Sequence, residues 1–247
     1  MTFTIVYDNH PGRSDLTPAW GFACAVHGLE TTILFDTGGD GQILVANMRA
    51  LGIEPGRIDG VVISHVHGDH TGGLEAVLAL NPRAAVYIPT GFAASAKGQI
   101  RSRGGRLIEA DASFEICPGA KTTGTLGKGA IEEQGLCVRT GFGWVLVTGC
   151  AHPGVADMAS RATRVTGGPV ALVLGGYHMT GYGEREIDDV IDRFEQLGVK
   201  GVAPCHCTGE MARAKFKERY ADQCRLVGIG SILSLDLASP QAKTDAE

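Results

Sequence analysis

Four side chains that commonly bind metal ions lie within six residues of one another, at His65, His67, Asp69 and His70. They directly follow the apolar run 60–64. Zinc and similar divalent ions prefer imidazole nitrogen and carboxylate oxygen, and a loop at a strand end can direct the first pair to one ion and the second pair to another. A solvated polar loop is the alternative. The density of ligand side chains favours a metal site.

The spacing of this cluster resembles the His-x-His-x-Asp-His signature of the metallo-β-lactamase superfamily. The resemblance extends over nearly the whole chain, through LFDTG at 34–38, TGCAH at 148–152 and His206 near the C-terminus. Within the superfamily the chain is most similar to the branch of dihydropterin ribofuranosylaminobenzene phosphate synthase-like proteins. That branch carries strings similar to GCAHPG at 149–154, GGYH at 175–178 and PCHCTG at 204–209.

The resemblance implies that two divalent metal ions are bound by residues from several parts of the chain. Zinc is the expected metal, and manganese and iron are the alternatives. Carried over by position, the resemblance assigns His65, His67 and His152 to the first ion, and Asp69, His70 and His206 to the second.

Two further polar residues are expected near the metal ions. The resemblance implies that the Asp36 carboxylate accepts a hydrogen bond from a histidine ligand or steadies the ligand loop. Asp36 can instead start a turn with Thr37 and Gly38, because Asp before Gly is common in turns. Asn9 lies at the end of the first predicted strand, where the branch has a similar acidic-Asn pair, so it is a candidate substrate contact.

The chain departs from the commonest superfamily pattern after the apolar run 170–174. An aspartate that bridges both metal ions is expected there, but the sequence reads GGYH at 175–178. His178 is therefore a substitute metal ligand or a substrate-binding group, and a purely structural histidine is the alternative. Without an anionic bridge, the second site is expected to bind its ion less tightly, or to accept manganese or iron as readily as zinc.

The predicted chemistry is hydrolysis. Two bound divalent ions lower the pKa of a shared water and stabilise the oxyanion that develops during its attack. The expected substrate is a small phosphoester, cyclic phosphodiester or related ester, with Asp69 orienting the nucleophile and His178 donating to the leaving group or a substrate oxygen. The alternatives are a phosphoribosyl-transfer synthase of the dihydropterin type, a di-iron redox protein and a ligand-sensing protein without turnover.

The overall composition is that of an ordinary globular protein, with 44% hydrophobic and 20% charged residues. A net charge of -5 gives no basic surplus for nucleic-acid binding, so the expected partner is a small phosphorylated molecule. A secretory leader and an uncharged apolar run of about 18 residues are both absent, which predicts a cytoplasmic protein with no membrane partner.

Seven cysteines are scattered along the chain, and most lie in apolar runs. We interpret them as reduced thiols that mainly fill the core. Cys205 and Cys207 flank His206, and in an extended segment they point away from the metal ions. A redox or metal-binding thiolate at these positions is the alternative.

Glycine is frequent, with 36 residues between short β-branched runs, which indicates many strands joined by tight loops. The family resemblance implies an α/β fold class, a four-layer αββα sandwich of two mixed sheets with helices on the outer faces. One domain is expected over 1–237, with a frayed polar tail over 238–247.

The segment 95–135 is expected to form a pair of β-hairpins or a loop over the site. Strands are predicted at 3–7, 21–26, 31–36, 60–64, 84–88, 136–140, 144–148, 170–174 and 199–203, and helices at 41–51, 74–80, 155–165, 184–197 and 208–220.

Overall fold

Short apolar strands pair into two mixed β-sheets in the computed structural model of the chain, which describes residues 1–127 and 131–235. Within these residues the strands of the first sheet are β1 (Thr2–Tyr7), β2 (Ala23–His27), β3 (Ile33–Phe35), β4 (Gly60–Val62), β5 (Ala85–Ile88), β6 (Arg106–Glu109) and β13 (Ile232–Ser234). They are ordered β13-β1-β2-β3-β4-β5-β6. The strands from β3 to β6 are parallel, and the other neighbours are antiparallel.

The second sheet is also mixed. In the described part of the chain its strands are β7 (Glu115–Cys117), β8 (Ala120–Thr122), β9 (Leu136–Thr140), β10 (Gly143–Thr148), β11 (Val170–Gly176) and β12 (Gly201–Cys205). They are ordered β12-β11-β10-β9-β8-β7. Strands β10, β11 and β12 are parallel to one another, whereas β7 to β10 form an antiparallel meander.

Helices cover the outer face of each sheet. Buried side chains of α1 (Gly41–Ala50), α3 (Leu74–Leu80) and α4 (Ala94–Ser102) pack on the first sheet, and the one-turn helix α2 (Gly68–Thr71) lies between α1 and α3 in the chain. Those of α5 (Val155–Thr166), α6 (Glu184–Gln196) and α7 (Glu210–Tyr220) pack on the second. A third apolar cluster lies between the two sheets. The predicted αββα sandwich is therefore confirmed.

The alternation of side chains along each strand explains these layers. Ile33 and Phe35 of β3 point into the core between the sheets, whereas Leu34 points toward the helices. In β10, Val145 lies between the sheets and Leu146 lies under the helices. Successive side chains of a strand point to opposite faces, so a strand that is apolar on both faces becomes the inner part of a four-layer sandwich.

The prediction for 95–135 is only partly right. Strands β7 and β8 form one hairpin, but α4 and the parallel edge strand β6 take the place of the second. The helix was missed because it buries only Ile100 and carries no broad apolar stripe. The predicted tail over 238–247 lies outside the described residues. Among those residues, each helix is too short or too polar to cross a membrane.

The core between the sheets is expected to account for much of the stability. Phe3 in β1 is fully buried there, so Phe3→Ala removes its apolar contacts and leaves a cavity. We expect the free energy of unfolding in urea to fall by about 3 to 5 kcal/mol. Phe142→Ala is the control, because Phe142 is 40% exposed and should change stability little. Equal effects of the two substitutions would contradict this assignment of the core.

Candidate metal centre

The predicted ligands lie at one edge of the two sheets, where strands end. β4 leads into the loop that contains His65, β10 leads to His152, and β12 leads directly to His206. Because β10, β11 and β12 are parallel, their carboxyl ends lie at the same edge, as do those of β3 and β4 in the first sheet. The open side of such an edge is a common ligand-binding position in α/β folds.

Three histidines form the first cluster of candidate ligands. The Nε2 atom of His65 lies 3.1 Å from Nδ1 of His67 and 3.2 Å from Nε2 of His152. His65 is buried, and the other two are half-buried. One ligand atom of each residue lies within 4.8 Å of the others, which is close enough for a single ion to contact all three.

The second cluster contains Asp69, His70 and His206, and it also includes Cys150. One carboxylate oxygen of Asp69 lies 3.4 Å from Nε2 of His206 and 3.6 Å from Nε2 of His70. Both histidine side chains are fully buried, whereas that of Asp69 is 22% exposed. The structure thus brings together the three residues that the resemblance assigns to the second ion.

Asp36 is fully buried and joins the two clusters. Its Oδ2 atom lies 2.7 Å from Nδ1 of His70 and accepts a hydrogen bond from the Ser64 hydroxyl at 2.8 Å. The Ser64 hydroxyl proton is therefore in use, and its oxygen must accept from Nδ1 of His65, 2.8 Å away. Both rings consequently carry their proton on Nδ1 and direct an Nε2 lone pair toward the cluster.

Asn9 fixes the proton position of the His206 ring, as Asp36 does for His70. Its amide nitrogen donates to the His206 carbonyl at 3.3 Å, which places its oxygen 3.0 Å from Nδ1 of the same ring. The ring must therefore donate from Nδ1, leaving the Nε2 lone pair free. The buried carboxylate of Asp8 accepts from the His206 backbone N–H at 3.1 Å. Asn9 thus contacts a candidate ligand, a contact that the sequence did not predict.

The donor set fits a divalent cation. In the second cluster, two imidazole lone pairs and a carboxylate oxygen face one another and share a single thiol proton, that of Cys150. Converging acceptors repel one another unless an added proton or a metal ion lies between them. Imidazole, carboxylate and thiolate groups are the ligands that zinc and iron prefer.

Burial keeps much of the first cluster in the neutral form that binds metal. Burial, together with the neighbouring His70 and His152 rings, lowers the pKa of His65 well below its usual range. Burial and the nearby His178 and His67 rings lower the pKa of His152 to about 4. Neutral imidazoles have a free lone pair at neutral pH, so no proton has to leave before an ion can bind.

The second cluster combines opposing effects. Burial disfavours the charged form of His70, but its contact with the Asp36 carboxylate raises the pKa of the ring. Burial likewise acts to raise the pKa of Asp69, but the adjacent His206 and His70 rings lower it well below its usual range. Asp69 is therefore ionised and supplies an anionic oxygen at this position.

Two cysteines contradict the sequence interpretation. The Sγ atom of Cys150 lies 3.3 Å from Nε2 of His70 and 3.5 Å from Nε2 of His206, so Cys150 belongs to the candidate site. Cys207 does not point away, because the chain leaves the extended conformation at His206 and its Sγ lies 3.8 Å from the Cys150 carbonyl oxygen. Cys205 does point away, into the core between the sheets.

His178 lies beside the first cluster. It follows β11, its side chain is exposed, and its ring centroid lies 4.2 Å from that of His152. One of its nitrogens can share an ion with His152 and Cys150. The placement agrees with a substitute ligand and with a substrate-binding group, two of the roles that the sequence left open beside a purely structural one.

Two other residues at the site were not predicted. Glu133 is fully buried, and its carboxylate accepts hydrogen bonds from the backbone N–H groups of Cys150, Ala151 and His152 at 2.8 to 3.0 Å. Burial raises the pKa of Glu133 to about 7. Trp20 is 57% exposed, and its ring lies 4.9 Å from that of His206, so it forms an open aromatic wall of the site.

The backbone is strained at the site. Among the described residues, four of the five non-glycine positions with positive φ are Asp36, Ala151, His178 and His206. Each such residue costs about 1 to 3 kcal/mol, and the strain persists only where surrounding contacts compel it. The Glu133 hydrogen bonds to the loop that contains Ala151 are contacts of this kind.

Comparisons with known proteins agree with this architecture. The 7,8-dihydropterin-6-methyl-4-(beta-D-ribofuranosyl)-aminobenzene-5'-phosphate synthase of Methanocaldococcus jannaschii is 28% identical over 84% of this chain and 85% of its own. The crystal structure of a metal-dependent hydrolase of the beta-lactamase superfamily superposes with a TM-score of 0.80 at 25% identity, covering 96% of this chain and 99% of that chain. The metallo-beta-lactamase fold protein YhfI from Bacillus subtilis shares the fold, with a TM-score of 0.66, 12% identity, and coverage of 94% and 99%.

The family match itself covers residues 23–155, more than half of the 247 residues. It includes the loop with His65 and His70, and it extends through Cys150 and His152. The chain therefore belongs to the metallo-beta-lactamase superfamily.

Proposed function

We propose that the protein is a dinuclear metal-dependent hydrolase of a small phosphoester, cyclic phosphodiester or related ester. The observation that carries the proposal is the presence of two adjacent ligand clusters at one sheet edge, with the His65 and His70 rings 4.2 Å apart. The first ion would be held by His65, His67 and His152, and the second by Asp69, His70 and His206. We expect zinc, with manganese and iron as alternatives.

Bound divalent ions supply Lewis acidity and lower the pKa of a water toward neutrality. The partly exposed Asp69 carboxylate orients that water by accepting a hydrogen bond, in addition to its role as a ligand. His178 is exposed beside His152, so it donates a hydrogen bond to a substrate oxygen or to the leaving group. Asp36 and Asn9 hydrogen-bond to the rings of His70 and His206 and restrict the motion of these candidate ligands.

An open cleft beside His152 supports a phosphorylated substrate. The cleft has a volume of about 560 Å³, and Arg161 and Arg164 of α5 line it. Arg161 donates from Nε to the Thr123 carbonyl at 3.0 Å, which leaves its terminal nitrogens available. Within the described residues, neither guanidinium meets a carboxylate. Guanidinium groups bind phosphate oxygens in a bidentate manner, so this wall suits the phosphate of a substrate.

A second candidate function is favoured by the 28% identity to a synthase. A phosphoribosyl-transfer reaction with loss of pyrophosphate would use the same metal ions and the same basic cleft. Hydrolysis of chromogenic phosphodiesters without any phosphoribosyl donor distinguishes the two. Turnover under those conditions supports the hydrolase, whereas pyrophosphate release that requires an acceptor supports the synthase.

Metal content tests the assignment of the two clusters. Protein purified without added metal should contain about two equivalents of zinc, manganese or iron by plasma mass spectrometry. His65→Ala and His206→Ala should each lower that content, because each removes a ligand from a different cluster. His27→Ala is the control, since His27 lies at the end of β2 and belongs to neither cluster. A metal-free wild type that takes up no added metal would reject the proposal.

Asp36→Asn tests the coupling of the two clusters. The two carboxylate oxygens accept three hydrogen bonds, one from the Ser64 backbone N–H and two from the Ser64 hydroxyl and the His70 ring. An amide cannot accept all three, because its NH2 group replaces one oxygen and faces a donor, so the contacts that fix the proton positions of both rings are disrupted. We expect metal affinity to fall about 10- to 100-fold, as for other residues that orient ligands. Competition with a chromogenic chelator measures it. Asp40→Asn, at the start of α1, is the matched control and should leave affinity unchanged.

Arg164→Gln and Arg161→Gln test the phosphate-binding wall. Loss of a charged hydrogen bond worth about 1.5 kcal/mol should raise KM for a phosphodiester roughly tenfold, with a smaller change in kcat. Arg49→Gln on the opposite side of the sandwich is the control, because Arg49 is exposed at the end of α1. An unchanged KM in both variants would place the substrate phosphate elsewhere.

A further inference from the structure

Cys150 lies in the second cluster and within reach of His152, a histidine of the first. Its side chain is 4% exposed, and its Sγ atom is within 3.5 Å of Nε2 of both His70 and His206. The same sulfur can also share an ion with His152 and His178. Of the described residues, Cys150 alone can share an ion with the ligands of the second cluster and also with a histidine of the first.

Local structure holds the sulfur in this place. Cys150 follows Gly149, where a side chain would collide with Ser64 and the Asp36 carboxylate. Its backbone N–H donates to the buried carboxylate of Glu133 at 3.0 Å. Because the two facing histidines donate from Nδ1 to Asp36 and Asn9, both Nε2 atoms present lone pairs to the sulfur. A thiol has one proton and can satisfy only one of them, whereas a thiolate and a shared cation satisfy all three groups.

We propose that the Cys150 thiolate is a metal ligand that bridges the two ions, an inference that rests on the dinuclear site proposed above. It supplies the anionic bridge that is missing at the end of β11. Strands β10 and β11 are parallel neighbours, so a residue just after β10 reaches the same edge as a residue just after β11. The bridge is therefore provided by the adjacent strand.

The bridge alters the expected choice of metal. A thiolate is a soft ligand that favours zinc and iron over manganese and magnesium. Its negative charge also screens the two cations from each other, as a carboxylate would. The expectation that the second site binds its ion less tightly, or accepts manganese or iron as readily as zinc, is therefore replaced by a preference for zinc or iron over manganese in both positions.

Cobalt substitution tests the proposal without relying on activity. The metal-free protein, kept reduced with a phosphine, is titrated with Co(II) and followed by absorption spectroscopy. A cobalt–thiolate bond produces an intense near-ultraviolet charge-transfer band in addition to the weak visible bands. We expect this band in the wild type, its loss in Cys150→Ser, and its retention in Cys207→Ser, the neighbouring thiol that serves as the control.

Cys150→Asp provides a second, independent variant. A carboxylate in this position should preserve cobalt binding at about two equivalents while abolishing the charge-transfer band. It should also shift the relative affinity toward manganese. This variant keeps the proposal testable if the serine variant does not fold.

The outcomes separate the two proposals. Stoichiometric cobalt binding without a charge-transfer band, or a band that persists in Cys150→Ser, would overturn the thiolate bridge and leave the dinuclear hydrolase intact. Loss of the band in Cys207→Ser alone would move the ligand to the other thiol and overturn the proposal. Failure of the wild type to bind cobalt at all would reject both.

Discussion

The buried Asp36 carboxylate is the interaction on which the rest of the candidate site depends. It is fully buried, yet its two oxygens accept three hydrogen bonds, from the Ser64 backbone, the Ser64 hydroxyl and the His70 ring. A buried charge without such partners would be costly. Here the charge sets the proton position of His70 directly and that of His65 through Ser64. One carboxylate thus orients a candidate ligand in each cluster.

The sandwich provides the conditions for that arrangement. Asp36 follows β3 in the first sheet, whereas Cys150 and His206 follow strands of the second sheet, so the site forms only where the two sheets meet. Gly149 allows the second sheet to approach the Asp36 carboxylate. The positive φ values at Asp36 and His206 are unfavourable locally. The large apolar core between the sheets offsets that cost by fixing both strand ends.

How much could be predicted from the sequence depended on the distance between partners. The His65 to His70 cluster was found because its spacing is local. The apolar runs indicated the strands and helices, and the αββα arrangement followed from the family resemblance. Cys150 was missed because its partners His70 and His206 lie 80 and 56 residues away, and a thiol in an apolar run resembles core filler. Glu133 was missed because a buried carboxylate in a glycine-rich segment has no periodic signal.

The position of Cys150 also indicates how such sites vary. In the commonest pattern of the family, the bridging group is a carboxylate at the position that follows β11. What the two ions would require is an anionic atom at a point in space, and neighbouring parallel strands reach nearly the same point. The Cys150 thiol follows β10, and its backbone N–H donates to the Glu133 carboxylate. In the proposed bridge this thiol meets the requirement with a softer donor than a carboxylate. Site chemistry in this fold is therefore better judged from the sheet edge than from the order of residues along the chain.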